Sequence, residues 1–178
     1  TLMAAIAVRV AVQEACALKA DIKWPNDLLA DGLKLCGILA ETVETPAGRA
    51  AVVGIGINLN DHALPPELRA QATSIQAATG ATPEIKALLG ALLPQLARRY
   101  AQLHAEGGEA DITRAWADAS SYAAGKLVRV ALGAEENIEG VTRGLEPDGA
   151  LRVETEAGEI KIVRAGDVIA VRQMNNAE

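Results

Sequence analysis

Within DIKWPNDLLADGLKLCGILAE, Asp21 to Glu41, two ammonium groups, an amide and a carboxylate crowd together as Lys23, Asn26, Asp27 and Lys34. If Ile22–Trp24 is extended, Ile22 and Trp24 enter the core from one side while Lys23 projects from the other. Asn26 and Asp27, just past the strand end, can turn back toward the same region. The alternative is that they cap the following turn and Lys23 is merely solvated. Lys34 follows the turn signal Asp31-Gly32, on a strand expected to run antiparallel to the Lys23 strand. Such a hairpin would bring both lysines onto one sheet face. Two cations there suit a substrate carboxylate and a nucleotide phosphate, whose charge shifts during acyl-phosphate chemistry. The competing reading is a surface lysine beside a turn. Gly37, lacking a side chain, leaves room for a ligand or a neighbouring strand to approach its backbone.

Other candidates are fewer. Gly54-Ile55-Gly56-Ile57-Asn58 imitates a dinucleotide fingerprint, but its third glycine would fall at Leu59, so that reading fails. Asn58 carries a donor and acceptors that could read an adenine edge, or it simply closes a strand. Asp27 could hold Mg²⁺ through water, since magnesium takes oxygen ligands and shares phosphate oxygens. Glu41 reads as structural or distant. The two histidines, His62 and His104, are too few for a histidine-built metal site or a Ser/His triad. Cys16 and Cys36 form no metal or redox spacing and read as small thiols in a reducing, cytoplasmic setting.

The elements that must position these residues are legible in outline. Half of the 178 residues are hydrophobic, but aromatics make up only 2% and Phe is absent, so the core is aliphatic. A net charge of −6 argues against a nucleic-acid footprint. Leu2–Leu18 is apolar but interrupted by Arg9, Gln13 and Glu14, which makes it a buried helix and not a membrane span. It lacks the basic start and cleavage pattern of a secretory signal. A short strand over Ala20–Trp24 stops at Pro25. Leu33–Thr42 forms the second arm of the hairpin, and AAVVGIGINLN a third strand, fully buried at its start. His62–Pro83 is loop-rich, with a short helix within Ala70–Thr79. Glu84–Glu106 has helical periodicity, which Pro94 should kink or divide. Asp111–Ser120 is a shorter helix. The expected class is α+β, a mixed or antiparallel sheet with helices on one face.

From about Ala124 the pattern changes. KLVRVAL, IEGVTRGLE, ALRVETE, EIKIVRA and DVIAVRQ are short alternating runs separated by turn signals. Five such strands predict a small β-barrel. The expected domains are therefore 1–123 and 124–178.

Taken in order, KWPNDLL, KLCGILAE and GIGINLN closely resemble the catalytic domain of bacterial biotin protein ligases. ATSIQAATG and ARRYAQLHAEG are similar to a later segment of that family. GKLVRV, EGVTRGLEPDGALRVET and RAGDV resemble its small C-terminal SH3-like barrel. The resemblance implies an enzyme that joins biotin and MgATP into biotinyl-5′-AMP. It then passes biotin to a lysine of a biotin carboxyl carrier domain, such as that of acetyl-CoA carboxylase. It implies Lys34 as the catalytic residue, contacting biotin and the reacting phosphate. Lys23, Asn26 and Asp27 would lie on the nucleotide and metal side, Trp24 among the residues binding biotin or ATP, Gly37 against biotin, and Asn58 near the adenine. No Arg/Gly-rich loop of the type G-R-G-R-x-G-R occurs in this sequence. The chain is thus expected to be the C-terminal part of a ligase, without a nucleic-acid or membrane partner and with a possible dimer edge. A related lipoate or octanoate enzyme, and a catalytically incomplete fragment, are the alternatives.

Overall fold

The computed structural model describes residues 1–132 and 137–170, so Val171–Gln173 of the last expected strand lie outside it. The chain opens with helix α1 (Leu2–Cys16). Ala4, Ala5, Ile6, Ala7, Val8, Ala11 and Val12 are all buried on it, so small side chains let neighbouring elements close in from several sides. Ala17, with φ 52°, ends the helix in the left-handed conformation.

Strands β1 (Asp21–Lys23), β2 (Asp27–Ala30), β3 (Leu33–Thr45) and β4 (Gly48–Ile57) follow as a four-stranded antiparallel sheet in chain order. The Asp31-Gly32 turn is present, and both residues have positive φ, 49° and 80°. That is the backbone a two-residue hairpin needs. The hairpin partner differs from the sequence expectation, however. β3 pairs with β2, and β2 separates it from the Lys23 strand. Asp27–Ala30 is too short to announce itself as a strand, yet its register alone settles which face Lys34 occupies.

A second correction concerns β4. Val52 and Val53 are 53% and 37% exposed, and Ala50 and Ala51 are exposed too, so the start of this strand is not buried. β4 is one of the two edge strands of the sheet. An apolar run reports what a strand can bury, not whether a layer covers it.

Two short 3₁₀ turns, Asp61–Ala63 and Pro66–Leu68, lead to α2 (Ile75–Thr79). The Ser74 hydroxyl caps α2 by accepting from the Ala77 N–H. Helix α3 (Ile85–Leu103) runs through Pro94 as one element instead of dividing there. α4 (Gly108–Ala119) begins a turn earlier than its periodicity suggests, after Gly107 at φ 72°. Both α3 and α4 pack on α1, and α4 also meets β1. Trp116 is fully buried, one of two tryptophans that anchor this aliphatic core.

The C-terminal unit is the expected small domain of five antiparallel strands, and among the described residues no ladder joins β8 to β9 to close the expected barrel. Its strands are β5 (Ala124–Ala131), β6 (Asn137–Leu145), β7 (Leu151–Glu154), β8 (Ile160–Val163) and β9 (Asp167–Ala170), in the order β8-β7-β6-β5-β9. Val128, Val130, Leu151, Val153, Val163 and Val168 fill its interior. Long contacts tie it to the first sheet, the Lys23–Asp167 pair among them. Trp24, 2% exposed, donates its ring N–H to the Gly149 carbonyl at 3.0 Å. Just before this unit begins, Asp21 accepts from both the backbone N–H and the hydroxyl of Ser121.

Trp24 thus serves as packing anchor and donor at once. Trp24→Phe keeps most of the ring but strands the Gly149 carbonyl, and should destabilise the fold by about 1–2 kcal/mol. Trp24→Ala adds a cavity and should cost about 3–5 kcal/mol. Urea unfolding of both variants measures the difference.

Candidate functional site

Strand register brings the candidate residues together. Lys23 lies opposite Asp27, and Asp27 opposite Gly37, so these three form one row across β1, β2 and β3. The row continues to Gly56 on β4. Lys34 is three residues from Gly37, an odd spacing that should put it on the other face. A register shift between Leu28 and Leu29 intervenes: Leu28 pairs with Cys36, but Leu29 pairs with Lys34. Leu35 is the extra residue of this bulge, and consecutive Leu35 and Cys36 are both buried. The bulge returns Lys34 to the face of Asp27.

Three charges meet there. Lys34 Nζ lies 2.7 Å from Asp27 Oδ1, and Lys23 Nζ lies 3.6 Å from Asp27 Oδ2. The Asp27 side chain is 9% exposed, that of Lys23 16% and that of Lys34 49%. Asp27 Oδ1 is poorly aligned for a hydrogen bond despite the short distance. The Lys34 contact is therefore one of charge more than of direction, and the ammonium keeps protons for another acceptor. Gly37 makes the contact possible. A Cβ there would stand 3.3 Å from Lys34 Cε and 3.5 Å from its Nζ, so the lysine chain folds over the bare backbone of Gly37.

The backbone of Lys34 is pinned as well. Its N–H donates to the Gln71 carbonyl, and its carbonyl accepts from the Thr73 N–H. Asn58 donates its amide N–H to two carbonyls, Lys34 at 3.3 Å and Thr73 at 3.0 Å. The donor side of Asn58 is thus engaged in holding the Lys34 strand to the 71–73 segment. Asn26 behaves similarly, since its side-chain amide donates to the Ile38 carbonyl and its backbone carbonyl accepts from the Ile38 N–H.

Trp24 stands apart from this group. It is buried in the core and donates its ring N–H to the Gly149 carbonyl. Asp27 as a magnesium ligand meets a chemical objection, because both its oxygens already face ammonium groups. Among the described residues no group of three or more His, Cys, Asp or Glu side chains converges as a ligand set. Sequence reasoning missed Asp167, whose carboxylate reaches Lys23 at 3.0 Å from the second sheet. Only its place in the RAGDV segment marks it.

The Biotin/lipoate A/B protein ligase family matches residues 2–58, and the Biotin protein ligase C terminal domain matches residues 124–170. The biotin–[acetyl-CoA-carboxylase] ligase of Paracoccus denitrificans is 35% identical over 172 residues, covering 93% of this chain and 70% of that protein. The chain belongs to the biotin protein ligase family. The bifunctional ligase/repressor BirA of Bacillus subtilis is also 35% identical over 172 residues, 94% of this chain and 51% of that protein. The chain thus spans about half the length of several curated relatives it matches. A biotin protein ligase from Aquifex aeolicus, solved in complex with biotin and ATP, superposes with a TM-score of 0.79 at 26% identity. That match covers 96% of this chain and 70% of the other. Among the described residues no helix is long and apolar enough to cross a membrane. In this ligase-family chain the matched segment 2–58 contains every candidate residue from Lys23 to Asn58.

Cys36 lies behind the site, 1% exposed. Burial, then the nearby Asp27 charge, pushes its thiol up to about 12, against the opposing pull of Lys34. Its ordinary value is 9.0, so between that pH and about 12 the unfolded chain releases a proton that the folded chain keeps. Stability should therefore fall as pH rises through that window, and Cys36→Ala should flatten the slope in pH-dependent urea unfolding. The lysine cradle makes a second prediction. Gly37→Val should drive the Lys34 chain off Asp27 and weaken anion binding at this face, read by titration with inorganic tripolyphosphate.

Proposed function

We propose that this chain carries the phosphate-handling half of a biotin protein ligase site, and that the reaction is ATP-dependent biotinylation of a carrier-protein lysine. The observation that carries this reading is the pair of lysines converging on one buried carboxylate, inside a segment that matches the ligase family. The match of residues 124–170 to a biotin protein ligase C-terminal domain favours biotin over lipoate or octanoate. The two units, 1–123 and 124–178, are proposed as the catalytic and C-terminal domains.

In the first step a carboxylate oxygen of biotin attacks the α-phosphorus of ATP. A carbon-bound oxygen joins phosphorus, the bond to the β-phosphate bridge breaks, and pyrophosphate leaves with the electron pair. Lys34 meets the charge that builds on the α-phosphate oxygens. Half exposed and bound to Asp27 mainly by charge, its ammonium can turn to a phosphate without stranding the carboxylate, since Lys23 stays beside it. Lys23 offers a second cation for the polyphosphate. Gly37 leaves its backbone open beside Lys34 for the biotin chain. Asn58 fixes the strand that carries Lys34, and its carbonyl oxygen is the group proposed to face the adenine.

In the second step the carrier lysine amine attacks the acyl carbon, AMP departs with the electron pair, and the amine loses a proton. Magnesium enters this proposal only as a counter-ion of the nucleotide phosphates, not as an ion held by Asp27. The partner is a biotin carboxyl carrier domain, and the setting proposed is the cytoplasm. The open edge of β4 is the proposed surface for a homodimer.

Biotin-dependent ATP–pyrophosphate exchange tests the reading, with lipoate as a parallel substrate. Exchange with biotin supports it; exchange with lipoate alone would transfer it to the related enzymes. Lys34→Ala should lower the exchange rate by on the order of 100-fold, the scale of losing one group that stabilises transition-state charge. Lys23→Ala should act mainly on the KM for ATP. Equal losses in both variants would remove the catalytic assignment of Lys34.

A further inference from the structure

Asp167 opens β9, at one edge of the C-terminal sheet, yet it takes part in the charge pattern of the first sheet. Lys23 Nζ stands between two carboxylates, Asp167 at 3.0 Å and Asp27 at 3.6 Å. Asp27 in turn meets Lys34 at 2.7 Å. The charges alternate in one line, Asp167, Lys23, Asp27, Lys34. The backbone that presents Asp167 is fixed. Asp167 pairs with Ala131 on β5, and the next residue, Val168, is fully buried. The preceding Gly166 has φ 143°, and a Cβ there would lie 2.7 Å from the Ala131 carbonyl oxygen.

We propose that Asp167 is a positioning residue for the anion site. It draws the Lys23 ammonium toward the C-terminal sheet, which leaves Asp27 to Lys34. The inference rests on reading this face as a polyphosphate site but not on which acid is activated. Two effects of removing the Asp167 charge oppose each other. The site would gain net positive charge, which by itself attracts phosphate. But the Asp167 side chain is 68% exposed, and water screens its repulsion of an incoming anion. The Asp27 side chain is only 9% exposed, where a pair is screened far less. Freed from Asp167, Lys23 would be drawn onto the buried Asp27, away from the exposed side where Asp167 holds it and where a phosphate would meet it. The geometric effect therefore sets the sign, and loss of Asp167 weakens phosphate binding.

The test is calorimetric titration of the 178-residue chain with inorganic tripolyphosphate and with MgATP, alongside biotin-dependent pyrophosphate exchange. Asp167→Asn should weaken both ligands roughly two- to fivefold, the range an exposed ion pair supports. Asp167→Glu should restore the affinity. Lys23→Met should weaken binding as well, and adding Asp167→Asn to it should change nothing further. In exchange, Asp167→Asn should raise the KM for MgATP and leave the KM for biotin unchanged. Tighter or unaltered tripolyphosphate binding in Asp167→Asn would overturn the proposal. So would a penalty that persists in the Lys23→Met background, or a wild-type chain that binds neither ligand. Binding of tripolyphosphate through Lys23 without biotin-dependent exchange would instead sink the biotin reading and leave the role of Asp167 standing.

Discussion

Asp27 is the constraint on which the site depends. Among the described residues it is the charged side chain that falls in the buried class, at 6% exposure. A carboxylate out of water is costly unless cations compensate it, so its position commands two lysines to its sides. The neighbouring thiol registers the same field, because the Asp27 charge helps hold Cys36 in its protonated form. Lys34 is half exposed and Lys23 mostly covered, so the compensation is unequal. One ammonium is held, and the other is presented. The phosphate-binding role proposed for this site, gripping an anion while meeting charge that builds during reaction, calls for that division of labour.

How the division is achieved is a matter of backbone geometry. A regular β3 would alternate its side chains and send Lys34 to the face opposite Gly37. The extra residue at Leu35 reverses the alternation, and the bare Gly37 then gives the lysine chain a path to Asp27. Removing the bulge would flip the lysine, and filling Gly37 would block it. The 71–73 segment and Asn58 keep this irregular stretch from relaxing, since they bond to Lys34 on its N–H and its carbonyl. On the side where pairing with β4 ends at Cys36, side-chain and loop hydrogen bonds thus hold this irregular strand.

This explains which parts of the molecule were readable from sequence. The helices α1 and α3, the Asp31-Gly32 turn and the alternating strands after Ala124 follow from periodicity and turn chemistry, and all appear. Lys23, Asp27, Lys34 and Gly37 stood out by type and spacing, and the sheet does bring them together. The pairing partner of β3 was misread because a four-residue β2 carries no periodic signal. The exposure of β4 escaped because an apolar run looks the same with or without a covering layer. Trp24 stands out by its motif, but the bond from its ring N–H to Gly149 spans too much of the chain to be read locally. Asp167 was invisible for a further reason. Its meaning depends on how the second sheet docks, and contacts across 144 positions leave no local trace.

Docking of the C-terminal sheet is best understood through these long contacts taken together. Trp24 and Lys23 are adjacent in sequence and point to opposite faces of the same strand end, yet both reach the second unit: one donates to Gly149, the other to Asp167. The C-terminal sheet therefore holds the KWPND segment from two directions, by a buried hydrogen bond on the core side and an ion pair on the open side. The buried bond carries the stability, since an exposed pair such as Lys23–Asp167 contributes little to it. What the ion pair can set is orientation, because an ammonium between two carboxylates has fewer places to go. The second sheet thus frames the candidate site together with the strands that carry the lysines.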